Sequence, residues 1–419
     1  MRHVAAYLWI VLNLASSGWA GVGDLTPVAP SRDDLMWATI TVPYDHAGMK
    51  SNYAMRCEAE AIHPPAKGAG TVHPRAVVVS FYDSPLKMAV DSRDPKDAKP
   101  NLFRLDFSGQ GRFDDECVVT PEARDIGLGQ KDFSLRWTPA TAKVDGRRVP
   151  ILVAGRYWEE NGKLRQTYIL IATAAEGTCQ FGAKAHPVRV VGADGNLHPG
   201  DRFEAVKTNG RISGLKVGDT VVVDTGDGTF KSAVKCLLGQ PVMVDGAWYA
   251  VLVSADGKKI KAEPFTGPLG RIQVAHRQWS AVLVGSKHVL KLQGDEQPIM
   301  VPSDNYIVWE YKIDTDVGRG SDKAVLAAYA ALTPSYGQWK VFEVQAGQTA
   351  ELAIGSPLTA EPVISLEGDV VTIDLRLFDA AGLPVGILYI PNRNPLPGPK
   401  LEILNSKGDK VHEATMEFG

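Results

Sequence analysis

Turn signals made of Asp, Asn and Gly recur at short intervals and interrupt runs of alternating or β-branched residues. The stretch 188–230 contains the pattern twice, as VRVVGADGN and VVVDTGDG, and further turns are predicted at 159–163, 244–247 and 255–258. These residues tolerate the positive φ angles that tight hairpins require. We therefore predict a mainly β, multidomain protein of antiparallel β-sandwiches or barrels with very little helix.

The length of 419 residues corresponds to two to four domains. We predict an N-terminal β domain over 21–130, a central β-rich region over 131–354 and a C-terminal β-sandwich over 355–419. The segment Ser321–Leu332 could be a helix or a strand. Ser321 could cap a helix, while the alternation of apolar and other residues in the segment favours a strand. The formal charge of −3 gives no reason to expect a nucleic-acid partner.

The N-terminus has the pattern of a signal peptide. Arg2 and His3 precede the apolar run Val4–Ala15, and small residues up to Ala20 form a cleavage site. The apolar run is too short to cross a bilayer, and no later run approaches the required length. We expect residues 1–20 to be removed, no membrane span, and an exported protein in the periplasm or outside the cell.

Four cysteines, Cys57, Cys117, Cys179 and Cys236, occur in this chain. An even number in an exported protein favours disulfides, with three possible connectivities. The pairs Cys57–Cys117 and Cys179–Cys236 are preferred because each falls within one predicted domain. The alternative is that some of these cysteines are buried free thiols.

A cation site is one hypothesis for the aspartate turns. Calcium takes six to eight oxygen ligands, which a loop supplies at alternating positions around a glycine. Asp106, Ser108 and Gln110, followed by Gly111, resemble the first positions of an EF-hand or dockerin loop. The twelfth position is Cys117, so the closing glutamate of such a loop is missing.

The later turns extend this hypothesis to five further residues of the sequence, Asp194, Asn196, Asp201, Asp224 and Asp227, and Asp219 is a further carboxylate nearby in the sequence. The resemblance to calcium loops implies calcium as a structural ligand that locks loops and takes no part in chemistry. The alternative is that Asp, Asn and Gly only form turns, because Asp and Asn side chains accept hydrogen bonds from nearby backbone N–H groups.

The tripeptide Asp224-Thr225-Gly226 follows an apolar run and resembles the active-site motif of aspartic proteases. That family uses two carboxylates that share a proton, and it places two apolar residues and a glycine later in the chain, as Leu283-Val284-Gly285 would be. A single DTG implies a homodimer, and Asp227 departs from the small residue expected after the motif. A secreted hydrolase that uses Asp224 is therefore the alternative function.

The C-terminal segment FDAAGLPVG, within 355–419, resembles turns of immunoglobulin-like and carboxypeptidase-regulatory-like sandwiches of secreted bacterial proteins. The resemblance implies an accessory β-domain and transfers no catalytic residue. Exposed aromatic side chains could form a glycan-binding surface, and the candidates are Tyr157, Trp158, Trp248, Tyr249 and Trp279. The sequence thus favours a non-catalytic binding or structural protein with an extracellular glycan or protein as partner.

Overall fold

The structure is a computed structural model of the chain. It describes residues 22–31, 59–68, 70, 76–81, 86–96, 101–113, 118–119, 122–124, 130–144, 147–161, 163–192, 197, 199–216, 218–226, 228–315, 324–329, 341–355, 357–368, 370–389 and 400–416. The predicted signal peptide, Cys57, Cys117, Asp194, Asn196 and Asp227 lie outside these residues.

Thirty-two strands account for the regular structure of the described residues. The first twelve are β1 (Gly23–Asp24), β2 (Thr26–Val28), β3 (Ala59–His63), β4 (Val77–Phe81), β5 (Lys87–Asp91), β6 (Leu102–Asp106), β7 (Val118–Val119), β8 (Glu122–Arg124), β9 (Gln130–Val144), β10 (Arg147–Glu160), β11 (Lys163–Phe181) and β12 (Lys184–Gly192).

The central strands are β13 (Glu204–Thr208), β14 (Arg211–Lys216), β15 (Thr220–Asp224), β16 (Ala233–Leu237), β17 (Pro241–Val244), β18 (Ala247–Val253), β19 (Lys259–Pro264), β20 (Leu269–Gln273), β21 (Trp279–Gly285), β22 (Val289–Gly294), β23 (Ile299–Pro302) and β24 (Asp304–Thr315). The remaining strands are β25 (Ala324–Tyr329), β26 (Val341–Val344), β27 (Thr349–Glu351), β28 (Thr359–Glu367), β29 (Val370–Phe378), β30 (Val385–Tyr389), β31 (Lys400–Leu404) and β32 (Lys410–Thr415).

These strands form open sheets, and the described residues contain no helix, which confirms the prediction of a mainly β fold. The strand orders are β16-β15-β12-β11-β10-β9-β8 with β2 beside β11, β22-β21-β24-β25-β30 with β26 beside β24, β3-β4-β5-β6-β7, β1-β19-β18-β17 and β23-β20-β27. Hairpins β13–β14, β28–β29 and β31–β32 are separate two-stranded sheets. Pairing is antiparallel except between β20 and β27.

The predicted turns are where the hairpins form. Asn161 lies between β10 and β11 with a φ of 52°, and Asp245 and Gly246, with φ angles of 48° and 80°, connect β17 to β18. The segment left open between helix and strand contains β25, so the strand alternative is confirmed for Ala324–Tyr329. No helix in the described residues could span a membrane.

Strand β11 belongs to two hydrophobic cores. Ile169 and Ile171, in its first half, pack with the five-stranded sheet that contains Phe103. Cys179 and Phe181, in its second half, pack with the sheet formed by β17, β18 and β19. A strand of 19 residues spans about 60 Å at the usual rise, so one strand serves both sandwiches.

Strand β1 crosses β11 at a point where both backbones are glycine. A Cβ at Gly23 would lie 1.8 Å from the carbonyl oxygen of Thr178, and one at Gly177 would lie 2.4 Å from that of Asp24. Any side chain at either position would therefore separate the two strands.

The predicted Cys179–Cys236 disulfide is wrong, because both residues are buried free thiols. Both face the same core, but their strands, β11 and β16, are three positions apart in the sheet. Three strand spacings amount to about 14 Å, whereas bridged cysteines have Cα atoms within about 7 Å. Burial raises the pKa of the Cys179 thiol to about 11 and that of Cys236 to about 12.

Candidate functional site

The Asp106 turn is closed by backbone donors. The N–H and hydroxyl of Ser108 donate to Asp106 Oδ1 at 2.9 and 2.6 Å, and the N–H of Gly111 donates to Oδ2 at 2.6 Å. The N–H of Gln110 donates to the Ser108 hydroxyl at 3.3 Å. Asp106, Ser108 and Gln110 therefore come together, and the carboxylate holds its own turn in the way that plain aspartate turns do.

Asp224 is used in the same manner. Its Oδ1 accepts the N–H of Gly226 at 2.7 Å, and its Oδ2 accepts the N–H of Phe230 at 2.6 Å. The Leu283–Gly285 segment of the protease alternative lies elsewhere, because Val284 packs with Leu237. Leu237 pairs with Thr220, at the opposite end of β15 from Asp224. The structure therefore does not place the Leu283–Gly285 segment beside Asp224, as an aspartic protease site would require.

The backbone of Asp201 is hydrogen-bonded to the carboxyl group of Asp219. The N–H groups of Gly200 and Asp201 donate to Asp219 Oδ2 at 2.5 and 3.0 Å. Asp219 precedes β15 and Asp224 ends it, which puts them about 16 Å apart along the strand. The described residues contain no group of three or more His, Cys, Asp or Glu side chains arranged to hold a metal. Calcium stays a prediction.

Asp219 is completely buried, and its Oδ1 has no hydrogen-bond partner. Burial is the main cause that raises the pKa of this carboxyl to about 7, and the charge of Asp201 adds to it. The two backbone donors on Oδ2 act in the opposite direction. A buried group of this kind is most stable when protonated, because the proton removes the charge that burial penalises.

Most of the candidate aromatic residues are core residues. Tyr157, Tyr249 and Trp279 are buried, and the Trp279 indole donates to the carbonyl of Asp295 at 2.8 Å. Trp158 and Trp248 are half-buried. Each adjacent pair therefore has one inward and one outward member, as alternation in a strand requires. Trp248 lines a cleft.

This cleft, which we call the edge cleft, has a volume of about 460 Å³. It is lined by Ala233–Cys236, Gln240–Met243, Trp248, Leu290–Gln293 and Ile299–Pro302. Four of the strands that contribute, β16, β17, β22 and β23, are each the edge strand of a different sheet. Edge strands carry backbone N–H and C=O groups that point away from their own sheet. Four sheet edges therefore meet around one space.

Gln240 shows what the edge groups of the cleft can bind. Its buried side-chain oxygen accepts the backbone N–H of Lys291 at 3.1 Å and that of Leu237 at 3.3 Å. The Lys291 N–H thus points away from β21. Because backbone groups alternate along a strand, the N–H and C=O of Gln293 point the same way, into the cleft. The side-chain oxygen of Gln240 accepts the backbone N–H of Lys291. The carbonyl of a bound peptide could accept the backbone N–H of Gln293 in the same way.

Most side chains that line the cleft are apolar, and the polar ones are two lysines and two glutamines. Met243 and Met300 are 51% and 37% exposed, and flexible thioether side chains adapt to varied apolar ligands. Lys235 and Lys291 also line the cleft. Burial lowers the pKa of Lys291 to about 8, and the negative charge of Glu310 opposes that shift.

Sequence reasoning identified only Trp248 among these residues. Met243, Lys291 and Met300 belong to short strands with no motif, Gln240 lies in the turn between β16 and β17, and the cleft depends on how separate sheets pack. The only local indication is the brevity of the strands between 233 and 302, since short strands are typical of sheet edges. Comparison of the chain with protein-family models, with curated proteins and with solved structures finds no match.

Proposed function

We propose that the protein is an exported, non-catalytic binding protein whose edge cleft takes up an extended polypeptide segment. The observation that supports this is the meeting of four sheet edges around one space. An extended peptide adds to such an edge through main-chain hydrogen bonds, and pockets for alternate side chains provide specificity. Export rests on the predicted signal peptide at residues 1–20.

A polypeptide fits the cleft better than a glycan. Glycan platforms need exposed aromatic faces, and Trp248 is the one predicted aromatic that lines the cleft. Most of the other lining residues are apolar, two lysines and two glutamines are among them, and the backbone edges of the strands lie beside them. Such a lining matches the main chain and apolar side chains of a peptide. A non-catalytic role agrees with Asp106 and Asp224, whose carboxylates hold turns.

The test uses a random octapeptide library displayed on phage, selected against the full chain and followed by synthesis of the best binder. We expect Met243→Asp to weaken binding of that peptide at least about tenfold, because it places a charge among the apolar side chains that line the cleft. Val341→Asp is the matched control. Val341 is 59% exposed, lies on β26 and is not part of the cleft lining.

A second series of peptides tests strand addition itself. In an added strand, alternate amides donate to the receptor and the others face away. N-methylation of one alternate set should abolish binding, while methylation of the other set should leave the dissociation constant within about threefold. Equal tolerance of both sets, or selected peptides that bind Met243→Asp as well as the natural chain, would reject the proposed site.

A further inference from the structure

A second cavity, which we call the junction cavity, lies where β11 passes from one hydrophobic core to the other. Its volume is about 500 Å³, within the range of roughly 300–1,000 Å³ that is typical of small-molecule sites. Val149 and Leu197 in its lining pack with the core that contains Ile171, and Leu25 belongs to the core that contains Cys179. The cavity therefore lies between two packed units, where ligand sites often occur.

Strand β11 forms the floor of the junction cavity. Ile171, Thr173 and Ala175 share one face of this strand, since side chains alternate, and Ile171 and Ala175 belong to the two different cores. Thr173 and Ala175 line the cavity, and both side chains are smaller than the isoleucine before them. The two layers that cover this face of β11 thus leave a gap above small side chains. Within this floor, Thr173 carries a hydroxyl group.

Arg147 gives the junction cavity a positive charge. It begins β10, and alternation places it on the same face as Val149 and Ile151, which pack in the core beside the cavity. Among the residues that the structure describes, no carboxylate forms an ion pair with Arg147. A guanidinium presents its N–H donors in one plane and can bind a carboxylate through two of them.

The other charged groups in the lining compensate each other. Lys258 Nζ lies 3.8 Å from Asp256 Oδ2. Asp256 Oδ1 accepts the Ser254 hydroxyl at 2.5 Å and the Lys258 N–H at 3.2 Å, and the Ser254 hydrogen bond is the main cause that lowers the pKa of Asp256. Asp256 is therefore ionised at neutral pH and offsets the charge of Lys258. The charge of Arg147 is left over, beside a mainly apolar surface.

From this arrangement we propose that the junction cavity binds a small organic acid, with its carboxylate on Arg147 and a compact apolar body between the two cores. An inorganic anion would lose its water against the apolar walls without a second cation to compensate. A neutral ligand would make no use of the guanidinium. No residue lines both this cavity and the edge cleft, so the small-molecule site is additional to the proposed peptide site and does not depend on it.

Titration of the full chain with cinnamate, followed by ligand-observed NMR, tests the proposal, and cinnamamide is the neutral compound of the same shape. The natural chain should bind cinnamate about tenfold more tightly than cinnamamide, because hydrogen bonds to a charged group are stronger than neutral ones. In Arg147→Gln this preference should disappear, and cinnamate should bind as weakly as the amide.

Arg148→Gln is the matched control. It removes the same charge from the next residue, which alternation places on the opposite face of β10 and which is not part of the cavity lining. This variant should keep the preference for cinnamate. Met243→Asp, which alters the edge cleft, should also bind cinnamate as tightly as the natural chain. Circular dichroism establishes that each variant is folded.

Three outcomes would overturn the proposal. The first is that cinnamate does not bind, or binds no better than cinnamamide. The second is that Arg147→Gln and Arg148→Gln behave alike. The third is that Met243→Asp loses cinnamate while Arg147→Gln keeps it, which would place the acid in the edge cleft. None of these outcomes affects the peptide experiments, so the proposed function can stand or fail separately.

Discussion

Asp219 and Asp224 lie at the two ends of β15, and both carboxyl groups are buried. Asp224 has a backbone donor on each oxygen. Asp219 has two donors on Oδ2 and none on Oδ1. The difference teaches that burial alone does not decide the role of an aspartate. Asp224, whose two oxygens both accept backbone donors, stabilises its turn. Asp219, whose Oδ1 has no donor, is a carboxyl group that favours the protonated form.

The largest expected effect concerns pH and Asp219. The folded pKa of about 7 lies above the ordinary value of 3.8, so between these values the folded state binds more protons than the unfolded state. The free energy of unfolding should therefore fall as pH rises through this window, by up to about 4 kcal/mol. Denaturant titrations at pH 5 and pH 8 should show about 3 kcal/mol of this fall, because part of the window lies below pH 5.

Asp219→Asn provides the control for that measurement. The asparagine oxygen can accept both N–H groups that Oδ2 accepts, and its NH₂ group stands where the protonated oxygen would be. The variant should lose most of the pH dependence between 5 and 8. If its slope equals that of the natural protein, the slope comes from another group, and the contrast between the two aspartates disappears.

The second effect concerns Asp224. Asp224→Ala leaves the N–H groups of Gly226 and Phe230 without their acceptor, which should cost about 2 kcal/mol of unfolding free energy. Asp224→Asn should cost less, because one amide oxygen can still accept. Urea denaturation at pH 7 gives both values. A loss below about 0.5 kcal/mol for the alanine variant would show that the turn does not depend on this carboxylate.

The smallest effect tests whether Asp106 belongs with Asp224. Asp106→Asn keeps an acceptor for part of the turn and should lower the unfolding free energy by about 1 kcal/mol. The loss should be the same with calcium or with a chelator, since backbone donors already fill both carboxylate oxygens. A loss that occurs only with calcium present would make this turn a cation site.

The fold was largely predictable because hairpin turns are local. Asn161 and Asp245 lie in the turns that their sequence predicts, and Tyr249 and Trp248 take the inward and outward positions that strand alternation requires. Local rules of this kind depend only on backbone preference and on the period of two residues along a strand.

The candidate site was not predictable because it depends on contacts between residues that are distant in the sequence. The sequence motif at Asp224 suggested catalysis, but which groups surround a carboxylate depends on the turn that follows it. Asp219 lies in no motif, and the backbone donors that its carboxyl group accepts, Gly200 and Asp201, belong to a different turn 19 and 18 residues earlier in the sequence. Lys291 and Met243 share a cleft only because two sheets pack edge to edge.

The crossing of β1 over β11 imposes an order on folding. Gly23 lies near the N-terminus, yet it pairs with Ile260 and rests on Thr178. A chain that emerges N-terminus first must therefore wait until residue 260 is available before this strand can be placed. The sandwich it completes would be the last part of this half of the chain to become resistant to proteases.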